Sequence, residues 1–293
     1  MTIGSALFQG IVQGLTEFLP VSSSGHLSLI QYFTGQSGEA GILFSIVLHL
    51  GTLLSVFIAF RKTIGELITE VFTMLGDIFT GNFTVRYASP QRRMLLLLIV
   101  SLCPMIITVF LKDWFASLST DDYILAEGLC FVLTSALLMA SAKCVSGHKD
   151  ASTMSYRDAV VVGLAQSVAP LPGLSRSGST ISVGVLMGLD RTYAVAFSFI
   201  MGIPAVLGAN VLEISDAMRE GVTIPASSLA VGLLASFIFG LLAIKMVKLL
   251  VTSDKFKYFA WYTLALGSLV IVLSLVEKIT GNAIQHWVMG LVG

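Results

Sequence analysis

The sequence predicts an all-α polytopic membrane protein: six transmembrane helices plus two re-entrant helix-loop-helix regions, arranged as an inverted-topology repeat. Three observations predict it. The chain of 293 residues is 55% hydrophobic and only 12% charged, about half the charged fraction of a soluble domain, roughly 25%. Six apolar stretches, at about 40–60, 93–112, 123–142, 193–213, 226–250 and 258–276, reach the roughly 20 residues that a spanning helix needs. Two further apolar regions, 3–33 and 158–189, are each broken in the middle by Pro, Ser and Gly. No linker or shift of composition marks a soluble domain. Residues 1–293 therefore read as a single integral membrane domain with halves of about 1–150 and 151–293.

The first broken region contains QGLTEFLPVSSSGH, Gln13 to His26. Gln13 and Glu17 are four apart and share one helix face. Pro20 cannot continue that helix, and Leu19 before it is pushed away from helical angles. Ser22, Ser23, Ser24 and Gly25 then offer hydroxyls and free backbone N–H groups where a new helix starts at His26. A carboxylate and an open loop in hydrocarbon are expensive, and function is the usual reason for them. The plain alternative is a kink between packed helices, with Glu17 satisfied by a neighbour. A cleaved signal peptide is excluded, because no positive n-region precedes the apolar run and no small-residue cleavage site closes it.

After the first span, RKTIGELITEVFTMLGDIF has apolar residues at helical spacing and is expected to lie along the membrane surface, with no catalytic role. His49 and Asn210 read as packing partners between helices, and Glu127, near a span end, as solvated. Gly202-Ile203-Pro204 is expected to kink the fourth span and make room for the second broken region. Cys103, Cys130 and Cys144 are odd in number and lie in or beside apolar runs, so they read as small hydrophobes rather than a disulfide or zinc framework. Lys+Arg and Asp+Glu balance at 17 each, leaving no basic footprint for nucleic acid.

The second broken region reads AQSVAPLPGLSRSGSTI from Ala165 to Ile181. Shifted back by 153 residues it falls on the first: Gln166 on Gln13, Ser175 on Ser22, Ser177 on Ser24, Gly178 on Gly25. Arg176 lands on Ser23, and Ser179 on His26. An offset of about half the chain is what an internal duplication produces. If both broken regions dip in and return, three spans separate them and the second dips from the opposite face. Then 13 of the 17 Lys and Arg lie on one side, and only Lys112, Arg219 and Lys278 on the other, with Arg176 in the motif. If both regions cross fully, the division is 10 against 6. The positive-inside rule favours the sharper asymmetry. The basic side is therefore cytoplasmic and both termini face outward.

Two re-entrant loops from opposite faces meet near the midplane, each ending at a helix N-terminus with free N–H groups and positive dipole character. Such a pair makes a cage for an anion. Arg176 adds a fork of donors suited to phosphate, with Ser175, Ser177, Ser179 and Thr180 around it. Glu17 can bind a hard cation or take a proton, and Gln13 can offer the same ion a neutral oxygen. His26 can act as acid, base or nucleophile; a hydroxyl of Ser22, Ser23 or Ser24 is the other nucleophile available. This set suits phosphoryl transfer, and a transporter of an anionic substrate would use much of it. The residues alone do not separate the two.

QGLTEFLPVSSSGH and PGLSRSGST closely resemble the two signature motifs of the undecaprenyl-diphosphate phosphatase family, the bacitracin-resistance type. The resemblance covers essentially the whole chain. It implies a bacterial plasma (inner) membrane enzyme that hydrolyses undecaprenyl diphosphate to the monophosphate carrier lipid of cell-wall synthesis. It further implies dependence on a divalent cation, Mg²⁺ or Ca²⁺, and a site toward the outer face. Carried over by position, the family's acidic pair falls on Gln13 and Glu17, where Gln13 replaces a carboxylate common in relatives. The catalytic set becomes Glu17, Ser23, His26 and Arg176, with Ser23, His26 or a His26-activated water attacking the terminal phosphorus. Ser22, Ser24, Gly25, Ser175, Ser177, Gly178 and Thr180 become phosphate-binding. The implied partners are a polyprenyl diphosphate and membrane lipid; the oligomeric state stays open, a homodimer included. A carrier moving a phosphorylated polyprenyl lipid across the bilayer is the alternative.

Overall fold

A computed structural model describes residues 2–35, 39–85, 88–111, 114, 124–219, 224–251 and 255–292. Thr2 caps the first helix, α1 (Ile3–Phe18), by accepting from the Ser5 N–H. As expected from Pro20, α1 stops at Leu19 in extended conformation. The chain then turns into α2 (Ser23–Thr34), which ends on Gly35 at φ +64°, a left-handed stop that favours glycine. Helix α3 (Glu39–Ala59) meets α4 (Arg61–Thr80) at 85° about Phe60. Arg92 holds α4 against the following helix through Glu70 and Asp77, each at 2.6 Å.

Helix α5 (Pro90–Leu102) passes through a 3₁₀ turn at Cys103–Met105 into α6 (Ile106–Phe110); Pro104 lies in that turn and withholds one helical N–H. The second half of the fold begins after α7 (Leu125–Ala142). It holds α8 (Tyr156–Ser167), α9 (Arg176–Leu186), α10 (Arg191–Arg219), α11 (Ala226–Val251), α12 (Phe256–Thr280) and α13 (Ala283–Val292). The segments 90–110, 125–142, 191–210, 226–251 and 256–280 are long and apolar enough to cross a membrane, and α3 with α4 passes the same test when the bent pair is taken as one span. The five match expected spans and α3 overlies the sixth, 40–60; the protein is a polytopic all-α membrane protein. The segment 283–292 is a short helix whose Trp287 and Leu291 are exposed.

Helices α1, α2, α8 and α9 are shorter than a span: at 1.5 Å per residue, the 12 residues of α8 reach about 18 Å against a hydrocarbon core of about 30 Å. Lys149, ahead of the second broken region, is bonded to that region's far end, its N–H to the Gly188 carbonyl (3.1 Å) and its carbonyl to the Asp190 N–H (2.9 Å). At the same end, Arg93 donates to the Met154 carbonyl and Arg191 to the Cys144 and Val251 carbonyls. Of the basic residues counted for orientation, Arg86 and Lys112 lie outside the described residues, as does the side chain of Arg219.

The halves pack reciprocally. Helix α1 of the first lies on α11 of the second, α8 of the second lies on α5 of the first, and α7 lies on α12. Small residues let the backbones close in: Gly10 meets the Gly232 carbonyl, and Gly128 and Gly267 each face the other's carbonyl. Without a hydrophobic drive between helices in lipid, such close packing is the main source of association. The largest core draws on both halves, with Phe18, Leu97, Leu138, Ile181, Phe199 and Val247 buried together.

Candidate functional site

The two breaks carry the same local structure at the same offset. Ser22 caps α2 by accepting from the Gly25 N–H (3.2 Å), and Ser175 caps α9 by accepting from the Gly178 N–H (3.0 Å). Ser22 and Ser24 hydroxyls stand 3.3 Å apart, and so do those of Ser175 and Ser177. Each break also touches the other's helix. A Cβ on Gly25 would fall 2.7 Å from Gly173 Cα, and one on Gly178 would fall 3.4 Å from Pro20. The breaks thus meet head to head in the middle of the bundle.

Their meeting places Glu17 and Arg176 together. Arg176 Nη2 donates to Glu17 Oε1 at 2.5 Å, across 159 residues of sequence. Ser23 donates to Glu17 Oε2 at 2.6 Å, and Gln13 Nε2 donates to the same oxygen at 3.0 Å. Behind the pair lie Phe18, Leu53, Val56, Phe199 and Ile203, and in such surroundings a charge must keep its partners. In front lies a cavity of about 320 Å³ lined by Glu17, Ser23, Ser24, Ser175 and Arg176 from the two motifs.

The other sequence-derived site residues lie around this cavity rather than on its wall. The N–H groups of Gly25 and Gly178 each donate to the capping serine of their own helix. Ser22 is buried as a cap, Ser177 turns to Ser175 and the Leu19 carbonyl, and Thr180 bonds the Arg176 carbonyl and Ser198. These hold the loops in shape. His26 faces elsewhere. Its Nδ1 must donate to the Ser22 carbonyl (2.7 Å), which leaves Nε2 to accept from the Tyr262 hydroxyl (2.7 Å). The ring stacks on Tyr262 and meets Phe131 edge-on. His26 thereby fixes Ser22, which sits at φ +70°, and with it the start of α2.

Two residues read from the sequence as helix packing line the cavity instead. His49 Nδ1 donates to the Ser45 carbonyl at 2.7 Å, and Nε2 stands 3.7 Å from Glu17 Oε2. Asn210 lines the same cavity, with a buried Nδ2 that has no partner. Both carry the signal that singled out Glu17, a polar side chain inside an apolar span. Glu127, expected to be solvated, is 3% exposed and accepts from Ser28 at 2.7 Å; the α2–α7 contact covers it.

Gly202 on α10 lies against the Arg176 guanidinium, where a Cβ would overlap Nη1. Gly202→Ala is therefore expected to displace the guanidinium and lower kcat by about 100-fold, the usual cost of a misplacement near 1 Å. The check is kcat beside an unchanged helical circular-dichroism spectrum.

A polytopic helical membrane protein with an arginine–carboxylate pair and a serine at a helix start, set on the wall of a largely apolar cavity, is the class this geometry defines. The profile of the bacitracin resistance protein BacA family matches residues 6–269. A relative from Alkaliphilus metalliredigens named undecaprenyl-diphosphatase is 41% identical over 94% of this chain and 100% of its own. Relatives of the same name from Treponema denticola (38%, 91% of this chain and 96% of theirs) and Bacteroides thetaiotaomicron (39%, 92% and 98%) are similar throughout. The chain belongs to the BacA family.

Proposed function

We propose that the protein is an undecaprenyl-diphosphatase, hydrolysing undecaprenyl diphosphate to undecaprenyl phosphate and inorganic phosphate. Full-length similarity to relatives of that name supports the reaction. The observation in the fold that carries it is the contact of Ser23, Glu17 and Arg176 across the two breaks. Arg176 and the N-termini of α2 and α9 bind the terminal phosphate, where fixed donors stabilise charge as it develops. Ser23 Oγ attacks the terminal phosphorus and passes its proton to Glu17 Oε2. The bond from that phosphorus to the bridging oxygen breaks, undecaprenyl phosphate leaves, and water then hydrolyses the phosphoserine. His26 acts as a positioning residue for the α2 start.

A divalent cation, Mg²⁺ or Ca²⁺, belongs to the proposal. Among the described residues no group of three or more His, Cys, Asp or Glu is placed to hold a metal. Glu17 is a cavity-lining carboxylate, and beside it the Gln13 Oε1 is buried with no partner. This donor set fits a cation that arrives on the diphosphate, since Mg²⁺ commonly takes one or two carboxylates plus phosphate oxygens. Such an ion would neutralise charge on the diphosphate. Chelation is expected to abolish turnover and added Mg²⁺ or Ca²⁺ to restore it; undiminished turnover in chelator would remove the cation from the reaction.

The same reading takes the two broken regions as re-entrant in an inverted repeat within the bacterial plasma membrane, with both termini outside. The short α1, α2, α8 and α9 and the basic residues gathered near Lys149 and Arg191 support it. Hydrolysis is tested by giving purified protein undecaprenyl diphosphate in detergent and following both products. Equal amounts of undecaprenyl phosphate and inorganic phosphate are expected. A substrate that binds and is never cleaved would point to a lipid carrier.

A further inference from the structure

We propose that Gln166 and Asn210 form a second subsite, for the phosphate that stays on the lipid; this rests on the diphosphatase reading above. Both line the cavity that holds Glu17, Ser23 and Arg176. They come from separate elements, Gln166 from the end of α8 and Asn210 from α10. Both are almost fully buried, at 2% and 5% exposure. Each leaves an amide atom without a partner, Oε1 on Gln166 and Nδ2 on Asn210. Buried polar atoms are nearly always satisfied, so two orphans on one cavity wall mark a place where a polar ligand group belongs.

The chemistry of the pair selects the ligand. Asn210 Nδ2 is a donor and suits a phosphate oxygen. The Gln166 amide spends its N–H on the Met105 thioether at 3.0 Å, a weak acceptor. A half-turn of that amide exchanges its two ends at little cost and presents a second donor. Neither group is charged. Arg176 already supplies the fixed charge for the terminal phosphate, and the remaining phosphate must be released with the product lipid. Neutral donors hold it without trapping it. Ala205, Val206 and Ala209 continue the same wall, an apolar course for the first carbons of the prenyl chain.

The subsite distinguishes a diphosphate from a single phosphate, and that is how it is tested. Methylenediphosphonate and orthophosphate serve as competitive inhibitors of phosphate release by the full-length protein. Asn210→Leu and Gln166→Leu keep the approximate volume and remove the amide. Each is expected to weaken methylenediphosphonate about tenfold, the loss of one hydrogen bond to a charged group, and to leave orthophosphate within about twofold. If leucine prevents folding, Asn210→Ser and Gln166→Ser carry the same comparison. Equal weakening of both inhibitors would assign the amides to the terminal phosphate and overturn the proposal, as would no weakening of either. Failure of the wild type to release phosphate or to bind either inhibitor would instead remove the diphosphatase reading, and the subsite with it.

Discussion

Ser23→Ala is expected to lower kcat by about 10⁴-fold or more, the scale seen when a nucleophile is removed from a unit that acts together. The hydroxyl sits at the first position of α2, 2.6 Å from the carboxylate oxygen that would take its proton, and it lines the cavity. The substitution removes one donor to Glu17 and leaves Arg176 and Gln13 in place, so the fold should persist. KM should change little, because binding rests on Arg176 and the helix N-termini. The readout is kcat and KM for phosphate release. A variant within about tenfold of wild type would show that water attacks directly and that Ser23 only orients Glu17.

Arg176→Ala should be nearly as severe, for two separable reasons. An arginine that meets charge on a transferring phosphoryl group is worth about 10³–10⁵ in kcat. Its removal also leaves Glu17, 8% exposed, without its cationic partner, and breaking one side of a buried pair costs about 3–5 kcal/mol. Activity and thermal midpoint should therefore fall together. Arg176→Lys separates the terms: it keeps the charge beside Glu17 and most of the stability, but loses the planar fork. Recovery of the midpoint without recovery of kcat is the expected pattern. Full activity in Arg176→Lys would reduce the arginine to a point charge.

Much of this was legible in the sequence because lipid imposes strong rules. Twenty apolar residues make a span, and Pro20 and the Ser-Gly runs could only be breaks. The offset between Ser22 and Ser175 implied matching turns, and the structure gives them matching caps. Glu17 and Arg176 were assigned to one site from the sequence, but their direct ion pair appears only where the breaks meet head to head. What stayed hidden depends on which face of a helix meets which neighbour. His49 and Asn210 sit in spans whose apolar residues run all round, so no periodicity marks the side that faces the cavity. Glu127 lies near a helix end in the sequence, yet Ser28 and the Gly173 backbone cover it in space. That the N–H groups of Gly25 and Gly178 go to capping serines was not legible, because the sequence does not show whether a serine before them turns inward. Helix α13 has ten residues, too few for a span, and forms where Glu277 accepts from the Gln285 N–H and Gln285 reaches the Tyr32 carbonyl.

The site is built from one residue set in each half, and phosphate release tests that most directly. Wild type, Ser23→Ala and Arg176→Ala would be purified in detergent, matched for folded protein, and given undecaprenyl diphosphate with Mg²⁺. Release by the wild type and loss of at least about 99% of it in both variants, one from each break, is the expected result. Release near the wild-type rate in Arg176→Ala, or in both variants, would contradict a single site shared between the two halves.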